Sequence, residues 1–155
     1  MSMRIYTMPF LLAGVLAFSA QVASAEVTVD SVAFAEEVED REPINALSPS
    51  ATCEGGQAAG SKVPVFDSAS GDTIYFWSKV QAGSSGVLRH TWYMNKDNAW
   101  TKTADIELNF VESHSFRTWS SKTIVPSLHI GNWKVEVSTG DDPDTVLCSA
   151  KFRVM

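Results

Sequence analysis

Two short stretches of the sequence concentrate side chains that can do chemistry. They bring together an imidazole, a guanidinium, an ammonium, a hydroxyl and three aromatic rings, supplied by His90, Trp92, Tyr93, Arg117, Trp119, Ser120 and Lys122. Aromatic rings stack on sugar faces or apolar side chains, and a guanidinium binds a carboxylate or phosphate through paired hydrogen bonds. If the two stretches form neighbouring strands, they predict a shallow polar binding site.

A second interpretation places the same groups in the protein core. Leu88, His90 and Trp92 share one face of a strand, so His90 would be a buried imidazole that is hydrogen-bonded within the sheet. Trp92 and Trp119 would then be core rings. The two basic side chains of the second stretch would face the acidic residues Asp40 and Glu42.

The five tryptophans of the chain also suggest a carbohydrate-binding surface, because glycan-binding modules present flat rings to their ligands. Trp77 lies beside Tyr75 and Lys79, opposite the more apolar face of its stretch, and Trp100 follows a turn. We expect these two rings to be the most exposed. The alternative is that a two-sheet sandwich uses such rings in its core.

Residues for catalysis or for metal binding are not evident. The sequence contains no Gly-x-Ser-x-Gly, no His-Glu-x-x-His, no phosphate loop and no dinucleotide fingerprint. The acidic group Asp141, Asp142 and Asp144 lacks the spacing of a calcium loop and predicts a hairpin turn. The histidines His90, His114 and His129 form no zinc-binding pattern. We therefore expect no catalytic residues, no metal and no cofactor.

The elements that position these residues begin after an export signal. Residues 1–25 have a basic start, an apolar run and an Ala-Ser-Ala ending, which predict a signal peptide cleaved between Ala25 and Glu26. An uncleaved anchor helix is the alternative. Residues 26–155 would form a single domain that does not span a membrane. Loss of Arg4 leaves 11 basic and 18 acidic residues, so we expect no nucleic-acid partner.

The mature part predicts an all-β fold. Runs of alternating polarity at about residues 26–34, 72–80, 87–94, 102–110, 115–124, 132–139 and 146–154 are separated by turn-forming residues. One of these runs places Lys102, Ala104, Ile106, Leu108 and Phe110 on a single face. Seven to eight short strands without helical periodicity predict an antiparallel, immunoglobulin-like β-sandwich.

The two cysteines predict one disulfide bond, between Cys53 and Cys148, because paired thiols that enter an oxidising compartment are usually bridged. Cys148 falls on the inward face of the last strand. Cys53 falls in a Ser-, Ala- and Gly-rich stretch, residues 45–62, that predicts a long loop. Reduction should loosen this loop before the sandwich unfolds.

Five strings occur in one order along the chain: VEDREP at 38–43, IYFWSKV at 74–80, HTWY at 90–93, RTWSSK at 117–122 and GNWKVEV at 131–137. Val146, Leu147 and Phe152 follow the last of these strings. This set resembles the bacterial family called domain of unknown function 2914, over about residues 27–154. The resemblance implies a β-sandwich domain of envelope and membrane-associated proteins, and it implies no catalytic residues.

The functional expectation is a periplasmic or secreted binding module that recognises an envelope glycan, a peptide or a protein. An assembly protein, whose sheet edge or acidic segment at 36–42 docks a partner, is the second hypothesis. An enzyme is the third and has the least support from the sequence.

Overall fold

The computed structural model describes residues 26–54 and 62–155, and β-strands dominate both ranges. The long strands are β1 (Val27–Ala35), β6 (Thr73–Ala82), β7 (Gly86–Lys96), β8 (Ala99–Phe110), β9 (Ser113–Thr123), β10 (Gly131–Thr139) and β11 (Cys148–Val154). The short strands are β2 (Glu37–Glu39), β3 (Glu42–Ile44), β4 (Ala51–Cys53) and β5 (Val65–Phe66). One turn of 3-10 helix spans Ser68–Ser70.

The long strands form two antiparallel sheets. The small sheet has the order β1-β6-β9, and the large sheet has the order β4-β11-β10-β7-β8, with β5 parallel to β11. With β1 as strand A, these orders are the A-B-E and G-F-C-C′ arrangements of an immunoglobulin-type sandwich. The predicted fold class, an antiparallel immunoglobulin-like β-sandwich, is confirmed.

The core lies between the sheets because alternate residues of each strand point inward. On β6 the inward residues are Ile74, Phe76, Ser78 and Val80, and all four are almost completely buried. On the large sheet, Trp133 stacks on Phe152 with ring centres 5.8 Å apart. Trp92, on the strand that corresponds to C, meets the edges of Phe76 and Phe152. Aromatic rings are therefore the largest side chains of a core whose other residues are mostly aliphatic.

A β-bulge in β8 changes the face on which Lys102 lies. Trp92 pairs with Ala104, but the next residue, Tyr93, pairs with Lys102, so that Thr103 is the extra residue. The Thr103 hydroxyl donates to the Trp92 carbonyl at 3.1 Å. The prediction that Lys102 shares the inward face with Ala104 is therefore wrong, because the extra residue between them places their side chains on opposite faces of the sheet.

The acidic segment forms a hairpin where the sequence predicted only a break in the strand pattern. Strands β2 and β3 pair antiparallel around Asp40 and Arg41, which both have positive φ angles, 48° and 67°. Two consecutive left-handed residues are typical of a type I′ turn. This hairpin lies on the outer face of the small sheet, where the Trp77 indole N–H donates to the Arg41 carbonyl at 2.9 Å.

The disulfide bond between Cys53 and Cys148 is present. Cys148 is fully buried, as predicted. Cys53 does not lie in a loop, however, because it belongs to β4 and stands directly opposite Cys148 in the β4–β11 pairing. Before β4, Leu47 pairs with Phe34 of β1. The predicted loop at 45–62 is thus partly ordered, and its residues 55–61 lie outside the described ranges.

The predicted signal peptide, residues 1–25, also falls outside the described part of the chain. Within residues 26–54 and 62–155, no helix has the length and apolar character needed to cross a bilayer.

Candidate functional site

The nine candidate binding residues do not form one site. Strands β7 and β9 belong to different sheets, so the prediction that the two reactive stretches are neighbours is wrong. The first group, in the interior or at its margin, contains His90, Trp92, Ser120 and Lys122. The second, on the outer face of the small sheet, contains Trp77, Arg117 and Trp119. The third, on the outer face of the large sheet, contains Tyr93 and Trp100.

The interior group is a hydrogen-bonded link between the sheets. His90 Nε2 lies 3.0 Å from Ser78 Oγ, and His90 Nδ1 lies 2.9 Å from Ser120 Oγ. The Trp92 indole N–H donates to the same Ser120 oxygen at 3.0 Å. His90 and Trp92 come from the large sheet, whereas both serines come from the small sheet. His90 is therefore a core residue, as the second interpretation expected, but its partners belong to the opposite sheet.

Burial keeps this imidazole neutral. His90 is completely buried, and desolvation lowers its pKa from 6.5 to about 3. A neutral ring has one N–H donor and one acceptor nitrogen, and the two serine hydroxyls can complement both. Because solvent does not reach the ring, its role in this position is to join the sheets.

Lys122 lies at the margin of the interior, over the Trp133 ring, with Nζ 5.6 Å from the ring centre. Partial burial lowers the pKa of this ammonium group. The edge of the His129 ring also meets Trp133, and His129 Nδ1 accepts the Val125 N–H at 3.0 Å. Burial and the nearby Lys122 and Lys96 charges lower the pKa of His129. These contacts anchor the loop before β10 against the core.

On the outer face of the small sheet, the acidic hairpin covers Trp77. Only 6% of Trp77 is exposed, so the prediction that this ring is among the most exposed is wrong. The hairpin also supplies Glu42, whose Oε1 lies 2.8 Å from Arg117 Nε, in an ion pair whose N–H direction is poorly aligned for a hydrogen bond. The predicted contact with the acidic segment is confirmed for Arg117. For Lys122 the same prediction is wrong, because Lys122 lies on the other face of the small sheet, over Trp133. Trp119 is 36% exposed and is not a core ring.

The outer face of the large sheet carries a different combination of groups. Trp100 is 38% exposed, as predicted, and Lys134 Nζ lies 5.1 Å from its ring centre and 4.7 Å from that of Tyr93. Lys134 also forms an ion pair with Glu136. Burial and the Glu136 carboxylate raise the pKa of Tyr93. We call Tyr93, Trp100 and Lys134 the aromatic–lysine cluster.

A pocket of about 190 Å³ adjoins this cluster. Its lining residues include Trp100, Asn95, Asn132, Lys151 and Val63. Asn95 pairs with Trp100 across β7 and β8. The pocket therefore combines a partly exposed ring, two groups that both donate and accept hydrogen bonds, and a positive charge.

Sequence reasoning missed Lys134, Asn95, Asn132 and Lys151. The alternation in residues 131–137 does place Asn132 and Lys134 on one face, opposite Trp133 and Val135. The sequence does not show that β10 lies beside β7, however, and this adjacency brings Lys134 next to Tyr93.

Other polar groups on the surface give no comparable site. Among residues 26–54 and 62–155, no group of three or more His, Cys, Asp or Glu side chains could hold a metal ion. Asp142 instead organises its turn, where it accepts the Thr145 hydroxyl at 2.7 Å. A larger cavity of about 550 Å³ is lined by Glu26, Glu112 and His114 among others, but no Trp or Tyr ring lines it.

A known family model matches the second half of the sandwich. Residues 86–154, from β7 to β11, match the family model "Protein of unknown function (DUF2914)". The predicted resemblance is confirmed over this range, which is shorter than the 27–154 expected. No curated protein matches the chain.

Similar solved structures include an immunoglobulin-like protein from Pseudomonas aeruginosa, at 12% identity and a TM-score of 0.45, with 86% of this chain and 99% of that chain covered. An alkylpurine DNA glycosylase from Pseudomonas fluorescens matches at 14% identity and a TM-score of 0.42, over 58% of this chain and 27% of that chain. A β-glucosidase from Kluyveromyces marxianus matches at 12% identity and a TM-score of 0.42, over 74% of this chain and 15% of that chain. The match thus spans only a minor part of each of these two enzymes.

Proposed function

We propose that this chain, whose residues 86–154 match a family without an assigned function, is a non-catalytic binding module that works outside the cytoplasm. The observation that carries the proposal is the aromatic–lysine cluster beside the pocket with two asparagine amides. The disulfide bond and the predicted export signal support an extracytoplasmic location. The ligand would be an envelope glycan, a peptide or a segment of another protein.

The geometry favours binding over catalysis. The hydroxyl and imidazole groups that could act as nucleophile and base, Ser78, Ser120 and His90, are buried between the sheets and engage one another. On the large sheet, by contrast, an exposed ring provides apolar contact area and the neighbouring amides provide directed hydrogen bonds. This combination of an apolar surface with a few fixed polar groups is typical of ligand sites.

Tryptophan fluorescence tests the proposal directly. Trp100 and Trp119 are almost equally exposed, at 38% and 36%, but they lie on opposite faces of the sandwich. Ligands from a panel of envelope oligosaccharides and peptides should change the emission of the wild-type protein and of Trp119→Ala. The Trp100→Ala variant should lose this response and bind at least about tenfold more weakly, a loss of about 1.4 kcal/mol.

The proposed site would be wrong if Trp100→Ala kept full affinity while Trp119→Ala lost it. That outcome would move the binding surface to the small sheet, beside the acidic hairpin.

Docking of a partner protein is the second candidate function. The hairpin keeps Glu37, Glu39 and Asp40 at the surface, while Glu42 is engaged by Arg117. A basic partner could bind these three carboxylates. Replacing all three by the corresponding amides should then abolish capture of one stoichiometric partner from envelope extract, and Trp100→Ala should leave that capture intact.

A further inference from the structure

We infer that the ligand of the surface around Trp100 is an acidic saccharide, a sugar chain that carries carboxylate groups. This inference rests on the proposed function and names the chemistry of the ligand. It follows from three properties of the outer face of the large sheet: its charge, its hydrogen-bonding groups and its dimensions.

The charge of this face is opposite to that of the whole chain. The chain has a net charge of −6, but on strands β7, β8, β10 and β11 this face carries five of the 12 Lys and Arg residues against three of the 18 Asp and Glu residues. The basic residues are Arg89, Lys102, Lys134, Lys151 and Arg153, and the acidic residues are Asp105, Glu107 and Glu136. The face therefore has a local excess of two positive charges on an acidic protein.

The ion pairs on this face leave its positive charge at the end where the pocket lies. Arg89 binds Asp105 through two hydrogen bonds of 3.1 and 2.7 Å, which hold the pKa of that carboxyl below its ordinary value. Lys134 is paired with Glu136. Lys151 and Arg153 have no carboxylate within 4 Å in the described structure, and residues 1–25 and 55–61 contain no Asp or Glu.

The two unpaired cations stand next to the hydrogen-bonding groups. Lys151 lines the pocket together with both amides, and Arg153 pairs with Asn132 across β10 and β11. Each amide can donate to one sugar hydroxyl and accept from another, and the Trp100 ring can stack on the apolar face of a sugar ring. Arg153 can bind a carboxylate through two parallel hydrogen bonds.

The dimensions favour a chain of sugars over a single compact molecule. The pocket, at about 190 Å³, is smaller than the roughly 300–1,000 Å³ of sites that enclose a small molecule. Lys102, Tyr93, Lys134 and Lys151 form a cross-strand row over four neighbouring strands. Such a row extends over about 14 Å, because neighbouring strands lie about 4.8 Å apart. One sugar ring would occupy the pocket while its neighbours lie along the row.

A matched pair of ligands tests the charge requirement. Tetragalacturonic acid and its methyl ester have the same sugar chain, but only the acid carries carboxylates. Calorimetry at about 0.01 M ionic strength should show that the acid binds at least about tenfold more tightly, and at about 1 M this preference should largely disappear because salt screens exposed charges.

Variants locate the preference on the surface. The double variant Lys151→Met, Arg153→Met should bind the acid and the ester with equal affinity. Trp100→Ala should weaken the binding of both. The matched control is Lys79→Met, on the outer face of the small sheet, which should keep the full preference.

Equal binding of acid and ester by the wild type would overturn the acidic saccharide while leaving a binding surface at Trp100 intact. A preference for the acid that survives in the double variant would overturn the inferred site, because the charge that recognises the carboxylates would then lie elsewhere than at Lys151 and Arg153. If neither sugar bound, but a peptide changed the emission of Trp100, the saccharide would again be overturned and the proposed function kept. If no ligand bound in the fluorescence experiment or in the calorimetry, both the acidic saccharide and the proposed function would be overturned.

Discussion

His90 and Ser120 face each other across the interior, with His90 Nδ1 2.9 Å from Ser120 Oγ, and join a strand of the large sheet to the edge strand of the small sheet. The same hydroxyl oxygen accepts the Trp92 indole N–H. One serine thus satisfies two buried ring nitrogens, which would otherwise lack partners in an apolar core.

The free energy of unfolding should decrease as the pH is lowered, because of His90. The unfolded chain takes up this proton near pH 6.5, whereas the folded chain takes it up only near pH 3. The stabilising contribution is therefore complete above pH 6.5 and is lost as the pH falls from 6.5 towards 3, by up to about 1.4 kcal/mol per unit. Urea unfolding between pH 7 and 5 measures this slope.

The His90→Gln variant should show a much smaller slope over the same interval, because glutamine does not titrate. The exposed His114→Gln variant serves as control and should keep the slope of the wild type. An unchanged slope in His90→Gln would assign the pH dependence to other groups.

Ser120→Ala should destabilise the fold by about 1–3 kcal/mol, because it leaves Trp92 Nε1 and His90 Nδ1 without a partner in the core. Ser121→Ala is the matched control, since its side chain is exposed on the same strand, and it should change stability by less than about 0.5 kcal/mol. Chemical denaturation compares the two. Equal effects would mean that the hydrogen bonds of Ser120 contribute nothing.

Gly86→Ala should destabilise the protein by about 1–3 kcal/mol, because a Cβ atom there would lie 2.8 Å from Cζ of the Phe110 ring. Phe110 is almost completely buried, so its ring has little room to move. Gly83→Ala provides the control, since a Cβ atom at that position meets nothing within 4 Å. Thermal unfolding of the two variants should therefore differ, and equal melting temperatures would argue against the tight contact.

Removing the disulfide bond should loosen the pairing of β4 with β11 before it affects the other strands. The bond joins residues 95 positions apart, and its loss through Cys53→Ala and Cys148→Ala should cost about 2–5 kcal/mol. Under reductant, hydrogen exchange at residues 51–53 should accelerate, while the central strands β7 and β10 stay protected. Cooperative unfolding of the whole sandwich on adding reductant alone would show that the bond does more than fasten β4.

The alternation of side chains was a good guide to the core. Ile74, Phe76 and Val80 were predicted on one face, and all three are buried. This prediction succeeded because the side chains of a strand alternate strictly, a local property that does not depend on which strands pair. Lys102 was placed on the wrong face because a bulge interrupts that alternation. The sequence around Thr103 contains no glycine that would indicate a bulge.

The candidate site was much harder to predict. The aromatic and basic residues at 90–93 and 117–122 were expected on neighbouring strands, whereas β7 and β9 lie in opposite sheets. Trp77 was expected at the surface, but the acidic hairpin, some 36 residues earlier, covers it. Both outcomes depend on pairing between distant segments, which local patterns do not encode.

The bulge at Thr103 also bears on self-association. Strand β8 ends the large sheet, and an edge strand of 12 residues offers its free backbone groups as a template for pairing with a second chain. The extra residue interrupts the regular spacing of those groups, and Lys102 and Asp105 place charges on either side of it. Growth of ordered aggregates by strand addition is thereby disfavoured at this edge.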